Sequence, residues 1–423
     1  MSSPERRKPR GRPWPLWLAP VVGIALVFVV PSSVRSLDPD RGLILFNFSA
    51  EGARTILSAF TASMLTLVVF VVSSMLIVVQ LASAQLTPRI IATVFAEPRL
   101  KWVLGSFTFA YVYTISVSGR IAAPPAQLPI ATAIVCNLAC IAVFFWFVHF
   151  LGNSLRPIAM LQVVARSGRD VVEAVYPDPF DGSGEKPEAP NLPEGVAEVV
   201  EHVGGSGVVL SFNEDRLLTL AEKTNATIEL VPQVGDFVAR GDPLVRVRGG
   251  GRPTDAAALR ACIVIGPERS LRQDPRFAFR IMVDIANKAL SPAINDPTTA
   301  VLALDQIHDL LLQVGLRRLG AGETRNGRGV VRVRYGTPKW PDFVSLATTE
   351  IRHFGASSIQ VARRLRAMLE HLIHALPEQR HPALRQELSL LQRAVERHFP
   401  DDEDRAGATV GDFQGIGSSE PRP

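Results

Sequence analysis

The chain has 423 residues, 47% of them hydrophobic and 20% charged, with a formal net charge of +5. That is too apolar for an ordinary soluble protein and too charged for a wholly embedded one, so a membrane half and a soluble half are implied. Three cysteines with no histidine at ligand spacing exclude a disulfide framework and imply no zinc or other metal site.

Residues 1–13 carry Arg6, Arg7, Lys8, Arg10 and Arg12. Such a cluster before an apolar run reads as a topology signal and not as an arm for nucleic acid, so the bilayer is the expected partner and nucleic acid is not. Four apolar segments follow, about Trp14 to Val30, Ile56 to Gln85, Leu100 to Ser118 and Leu128 to Leu151. Each supplies roughly 17 to 25 mostly apolar residues, enough to cross the hydrocarbon core. The first is read as a retained anchor, because "VPSSVRS" after it lacks a small-x-small cleavage site. Arg89, Arg99 and Lys101 between spans two and three, and Arg156 after span four, outweigh Arg120 in the third connection. The positive-inside rule then leaves both termini cytosolic in a bacterial inner (plasma) membrane.

Span two bears Ser63, Thr66, Ser73, Gln80 and Gln85 among its apolar residues. Hydroxyls and amides in lipid must bond to their own backbone or to another helix, so this polar face is expected to meet protein or water.

A helix to about Val175 and a Pro/Gly/acid-rich linker fill 157–195. From 196 to 266 the runs "SGVVLSF", "ATIELVP", "DFVARGDPLVRVR" and "ACIVIG" read as short strands around one helix, Asp215 to Lys223. The V-x-x-G-D-x-V-x-x-G-x-P-L spacing looks like the hairpin of biotinyl and lipoyl-type barrels. The nearby lysine, Lys223, falls on the predicted helix, so no carrier cofactor is expected. Residues 267–399 are mainly helical, with one strand over Val330 to Tyr335, and 400–423 reads as a disordered tail. The expected fold is therefore a membrane domain of four transmembrane helices over 14–156, followed by a cytosolic α+β region made of a small β-barrel-like module and a helical domain.

The stretch "SPAINDP" joins two apolar-faced helices. Pro292 ends the first at Ser291, Asp296 suits an N-cap and Pro297 the first helical position, so a turn accounts for most of it. The alternative is a ligand or catalytic cluster of Asp274, Asp284, Asn295, Asp296 and Thr299. His371 and His374, with Glu370 beside them and His353 upstream, alternate with arginines that disfavour a bound metal. No G-x-S-x-G elbow, P-loop or dinucleotide fingerprint is present.

Together, "LASAQLTPRI", "SGVVLSFNEDRLLTLA", "GDFVARGDPL" and "RQDPRFAFRIMVDIANKALSPAINDPTTA" resemble the bacterial predicted membrane proteins of the domain of unknown function 2254 family, from which the chain departs at Val208 and Asn213. The resemblance implies a four-span membrane protein and supplies no activity. Three functions stay open: a homo-oligomeric channel or transporter-like protein with a cytosolic regulatory domain, a membrane-tethered sensor or scaffold, and a membrane-bound enzyme using the 274–299 cluster, with its small-molecule ligand unspecified. The absence of a catalytic motif leans away from an enzyme.

Overall fold

A computed structural model describes residues 48–85, 98–122, 124–154, 157–182, 198–250, 255–320 and 322–416. The basic arm, the span expected over Trp14 to Val30, most of the linker and the last seven residues lie outside them. Two compact units divide at Ala159/Met160.

The first unit contains helices α1 (Ala50–Gln85), α2 (Pro98–Ser118) and α3 (Gln127–Ser154), which pack pairwise. Ala53, Leu57, Met64 and Val71 of α1 recur at helical spacing and are fully buried against the other two helices. The outside is also apolar: Ile77, Trp102, Val135 and Phe145 are more than half exposed. A helical bundle with apolar residues on both its inner and outer faces matches a lipid solvent. By length and composition, Ala50–Ile77 and Gln127–Phe150 are the two segments able to cross a membrane among the described residues. α2 is long enough at 21 residues, but Lys101, three Ser and two Thr make it less apolar.

The second unit begins within α4 (Pro157–Val175). Its strands are β1 (Glu198–Glu201), β2 (Gly207–Phe212), β3 (Ala226–Leu230), β4 (Phe237–Val238), β5 (Pro243–Gly249), β6 (Ile263–Gly266), β7 (Glu323–Arg325) and β8 (Val331–Arg334). Between them lie α5 (Glu214–Thr224) and the short α6 (Ala256–Arg260). Asn213 opens α5 by accepting from the Arg216 amide, as an amide oxygen does at an N-cap about as well as a carboxylate.

Two corrections to the sequence reading concern this module. The strands form two separate sheets, ordered β1-β5-β3-β8-β7 and β4-β2-β6, and no closed barrel. Nor does the module end at Gly266, because β8 pairs in parallel with β3, with Ile228 opposite Val333, and brings β7 with it. Apolar residues of both sheets and of α5 share one core, including Val209, Leu217, Ile228, Val245 and Val333.

The helical part comprises α7 (Pro275–Ala289), α8 (Pro297–Gly315), α9 (Trp340–Gly355), α10 (Ile359–Ala375) and α11 (His381–His398). α7 is central: Phe279, Met282, Val283, Ile285 and Ala286 are all fully buried, and the helix packs on both α8 and α9. The expected disordered tail is corrected in part. Asp401 caps α12 (Asp402–Ala408), and the segment after it lies along α10. There the Asp412 amide donates to the Arg363 carbonyl and Gln360 donates to the Gly415 carbonyl at 2.6 Å.

Candidate functional site

The polar face of α1 is built by helical repetition. Ser63, Thr66, Ser73 and Gln80, interleaved with Phe70 and Ile77, share one side of the helix and are exposed. Ser63 donates to the Ala59 carbonyl at 2.9 Å and Thr66 to the Ala62 carbonyl at 3.1 Å. Their hydroxyls are thus satisfied within α1, and the face that packs on α2 and α3 is the opposite, apolar one. The Gln85 side chain lies outside the described part.

The 274–299 residues separate into three local arrangements. Asp274 precedes α7, whereas Asn295, Asp296 and Thr299 follow it, about 22 Å away along a 15-residue helix. Asp296 caps α8: its Oδ1 accepts from the Thr299 amide at 3.0 Å and its Oδ2 from the Thr299 hydroxyl at 2.6 Å. Asn295 is in the left-handed region at φ 48°, where Asn is tolerated better than most residues. Asp284 faces a third direction, accepting from Arg280 Nε at 2.6 Å.

Arg280 also grips Glu350 of α9 with both terminal nitrogens, at 2.5 and 2.8 Å, and Asn287 donates to the same carboxylate at 2.7 Å. The hydrogen bonds from Arg280 hold Glu350 below the usual carboxylate range, with the Arg280 charge and Asn287 adding to them against a smaller opposing effect of burial. Glu350 in turn keeps Arg280 firmly protonated. This clamp of one guanidinium between two carboxylates joins α7 to α9 and commits Asp284 to structure.

Asp274 is buried at 3% exposure between Arg269 and Arg276, each 3.8 Å away. Burial raises its carboxyl above the ordinary value, and the two guanidiniums oppose that. The same arginines donate to the Gly235 and Val234 carbonyls. The group therefore pins the "VGD" turn of the β-module to the start of α7.

A fourth cluster joins α8 to α10. Arg364, 5% exposed, donates through Nε to Asp305 at 2.7 Å and through Nη2 to His308 Nδ1 at 3.0 Å. Since arginine is always the donor, His308 carries its proton on Nε2 and donates it to His371 Nδ1 at 2.8 Å. Burial first, then Arg364 and His371, push His308 down to about 4, so its ring is neutral at pH 7. Sequence reasoning singled out His371 but paired it with His374 and not with His308. The apolar spacing of 304, 307 and 311 placed 308 beside the buried face of α8, which was the available signal. Among the described residues no three His, Cys, Asp or Glu converge as a metal-binding group.

Comparison with known proteins adds identity of a limited kind. A family model described as "Predicted membrane protein (DUF2254)" matches residues 14–371. An uncharacterized protein of Mycobacterium bovis and one of Mycobacterium tuberculosis are each 27% identical over 410 residues, covering 92% of this chain and 78% of theirs. No solved structure matches.

Proposed function

The chain belongs to the DUF2254 family of predicted membrane proteins, and from that premise we propose a four-span, homo-oligomeric channel or transporter-like protein of the bacterial inner membrane. Both termini are cytosolic, and the unit from Met160 onward regulates the membrane unit. The supporting observation is the face of α1: Ser63, Thr66, Ser73 and Gln80 point away from α2 and α3 on a helix long and apolar enough to span. Exposed polar groups on a spanning helix favour contact with another subunit or with water over contact with acyl chains.

The mass of the detergent-extracted particle tests this reading, together with flux of small ions and polar solutes in liposomes. A multiple of the 46.0 kDa chain with a flux reduced by Ser63→Leu and Ser73→Leu is expected. A monomer without flux rejects it. Topology is tested separately by alkaline phosphatase fused after Arg169, which is expected to be inactive.

The second reading, a membrane-tethered sensor or scaffold, draws support from the second unit, whose helices are joined by the Arg280–Glu350 and Arg364–Asp305 ion pairs. A tight monomer that captures a soluble partner through residues 160–416 would favour it. The enzyme reading requires Asp274 and Asp296 to act on one substrate, and their separation along α7 gives it no support.

A further inference from the structure

Asn137 lies near the middle of α3 and is fully buried, as are Thr114 and Tyr113 of α2. Its hydrogen bonds can be assigned without ambiguity. Thr114 donates its hydroxyl proton to the Ala110 carbonyl at 2.7 Å, so its oxygen is an acceptor toward Asn137 Nδ2, also at 2.7 Å. The second Nδ2 proton goes to the Ala133 carbonyl at 2.7 Å. Both acceptors require the amide nitrogen on that side, so a flipped amide is excluded. The Oδ1 atom is left buried and without a donor. The Tyr113 hydroxyl, close to Cys136, is buried and likewise lacks a partner of good geometry.

Lipid offers no donor, and an unmet acceptor inside a spanning bundle is costly. We propose that Asn137 Oδ1 binds a small O–H or N–H donor, either water or an ammonium-type cation, in the seam between α2 and α3. The seam is thus a polar entry into the membrane unit. Cys140, one turn on along α3, meets the Ser106 carbonyl of α2 at 3.6 Å and is otherwise packed among apolar side chains such as Phe107 and Phe147, so it sits just beyond the polar part of the seam. The proposal rests on α2 and α3 spanning the bilayer, and not on the number of subunits.

The native thiols report on it. In a Cys136→Ala, Cys262→Ser background, Cys140 is the remaining cysteine and is 5% exposed. Silver ion, which reaches thiols through water, is added to intact membranes, and unreacted Cys140 is then labelled with a maleimide in dodecyl sulfate. The expected result is protection of Cys140 by silver, slowed at least tenfold by Asn137→Leu and little changed by Asn137→Ser. In chloride-free buffer, slowing by ammonium nitrate but not by choline nitrate identifies a cation as the donor; equal rates in both identify water. No protection in intact membranes, with full protection once detergent is added, overturns the proposal whether or not the Asn137 variants fold. Release of the protein by alkaline carbonate would instead break the membrane reading, and a monomeric mass would break only the oligomer reading.

Discussion

His308 Nε2 stands 2.8 Å from His371 Nδ1, and this bond joins α8 to α10 together with Arg364 of α10, which occupies the other side of the His308 ring and also holds Asp305. A proton added to His308 would have to enter at Nδ1, facing a guanidinium. The unfolded chain has no such obstacle and binds that proton near pH 6.5. Because the folded value is depressed to about 4, stability is fully present above 6.5 and is lost as the pH falls through the window from 6.5 toward 4. The loss between pH 6.5 and 5 is about 1 to 2 kcal/mol, allowing for the partial exposure of the ring. Thermal unfolding of the detergent-solubilised chain at pH 7 and pH 5 measures it, and His308→Gln should flatten the difference.

Asp296→Ala should lower stability by about 1 to 2 kcal/mol, because the Thr299 amide loses its acceptor. Asp296→Asn should cost less, since an amide oxygen still caps. Asn295→Gly should be nearly neutral at φ 48°, whereas Asn295→Val forces a β-branched residue into the left-handed region and should rank worst of the four. If added divalent ions or metabolites stabilise the parent chain but not Asp296→Asn, the turn binds a ligand as well as capping a helix.

Gly235 and Gly241 share φ +93° but not their surroundings. A Cβ on Gly235 would sit 2.5 Å from Arg269 Nη2 and 2.7 Å from Asp274 Oδ2, while one on Gly241 meets nothing within 4 Å. Gly241→Ala should therefore cost only the backbone strain, about 1 kcal/mol, and Gly235→Ala about 2 to 4 kcal/mol because it also wedges a buried ion pair. Equal denaturation midpoints for the two variants would contradict this.

Arg380 is 3% exposed, donates to the Gly315 and Arg317 carbonyls, and lies 4.7 Å from the Phe180 ring centre and 5.4 Å from that of Trp340. Arg380→Ala should destabilise the second unit by about 3 to 5 kcal/mol. Arg380→Lys should recover less than half of that, since an ammonium cannot stack and span two carbonyls together. Limited proteolysis of residues 160–416 reads the order of the three proteins.

The local features were legible and the distant ones were not, for a common physical reason. The cap at Asp296 and Pro297 at the first helical position depend on neighbours within three or four positions, which a sequence displays directly, as does the helix from Asp215 to Lys223. Pairing of Ile228 with Val333 joins positions roughly a hundred residues apart, and "VVRVRY" alone carries no sign of the strand it will meet. The same holds for Arg280 with Glu350 and for His308 with His371. Asn137 carries a signal of its own in the sequence: a lone amide inside "IVCNLACIAV" is a polar group in an apolar span.

The parallel pairing of β8 with β3 also orders events during synthesis. When Gly266 has left the ribosome, β3 still has one unpaired edge, and the strand that covers it is made only after α7 and α8. A chain stopped at Gly266 would expose the β3 backbone groups as a template for other chains, and long-range parallel closure is slow compared with helix formation. The α7–α8 hairpin, with its Asp296 cap, is thus in a position to fold before the sheet beside it closes. Cuts made between 266 and 334 would produce aggregation-prone halves, so genetic dissection of the second unit should keep residues 198–334 on one piece.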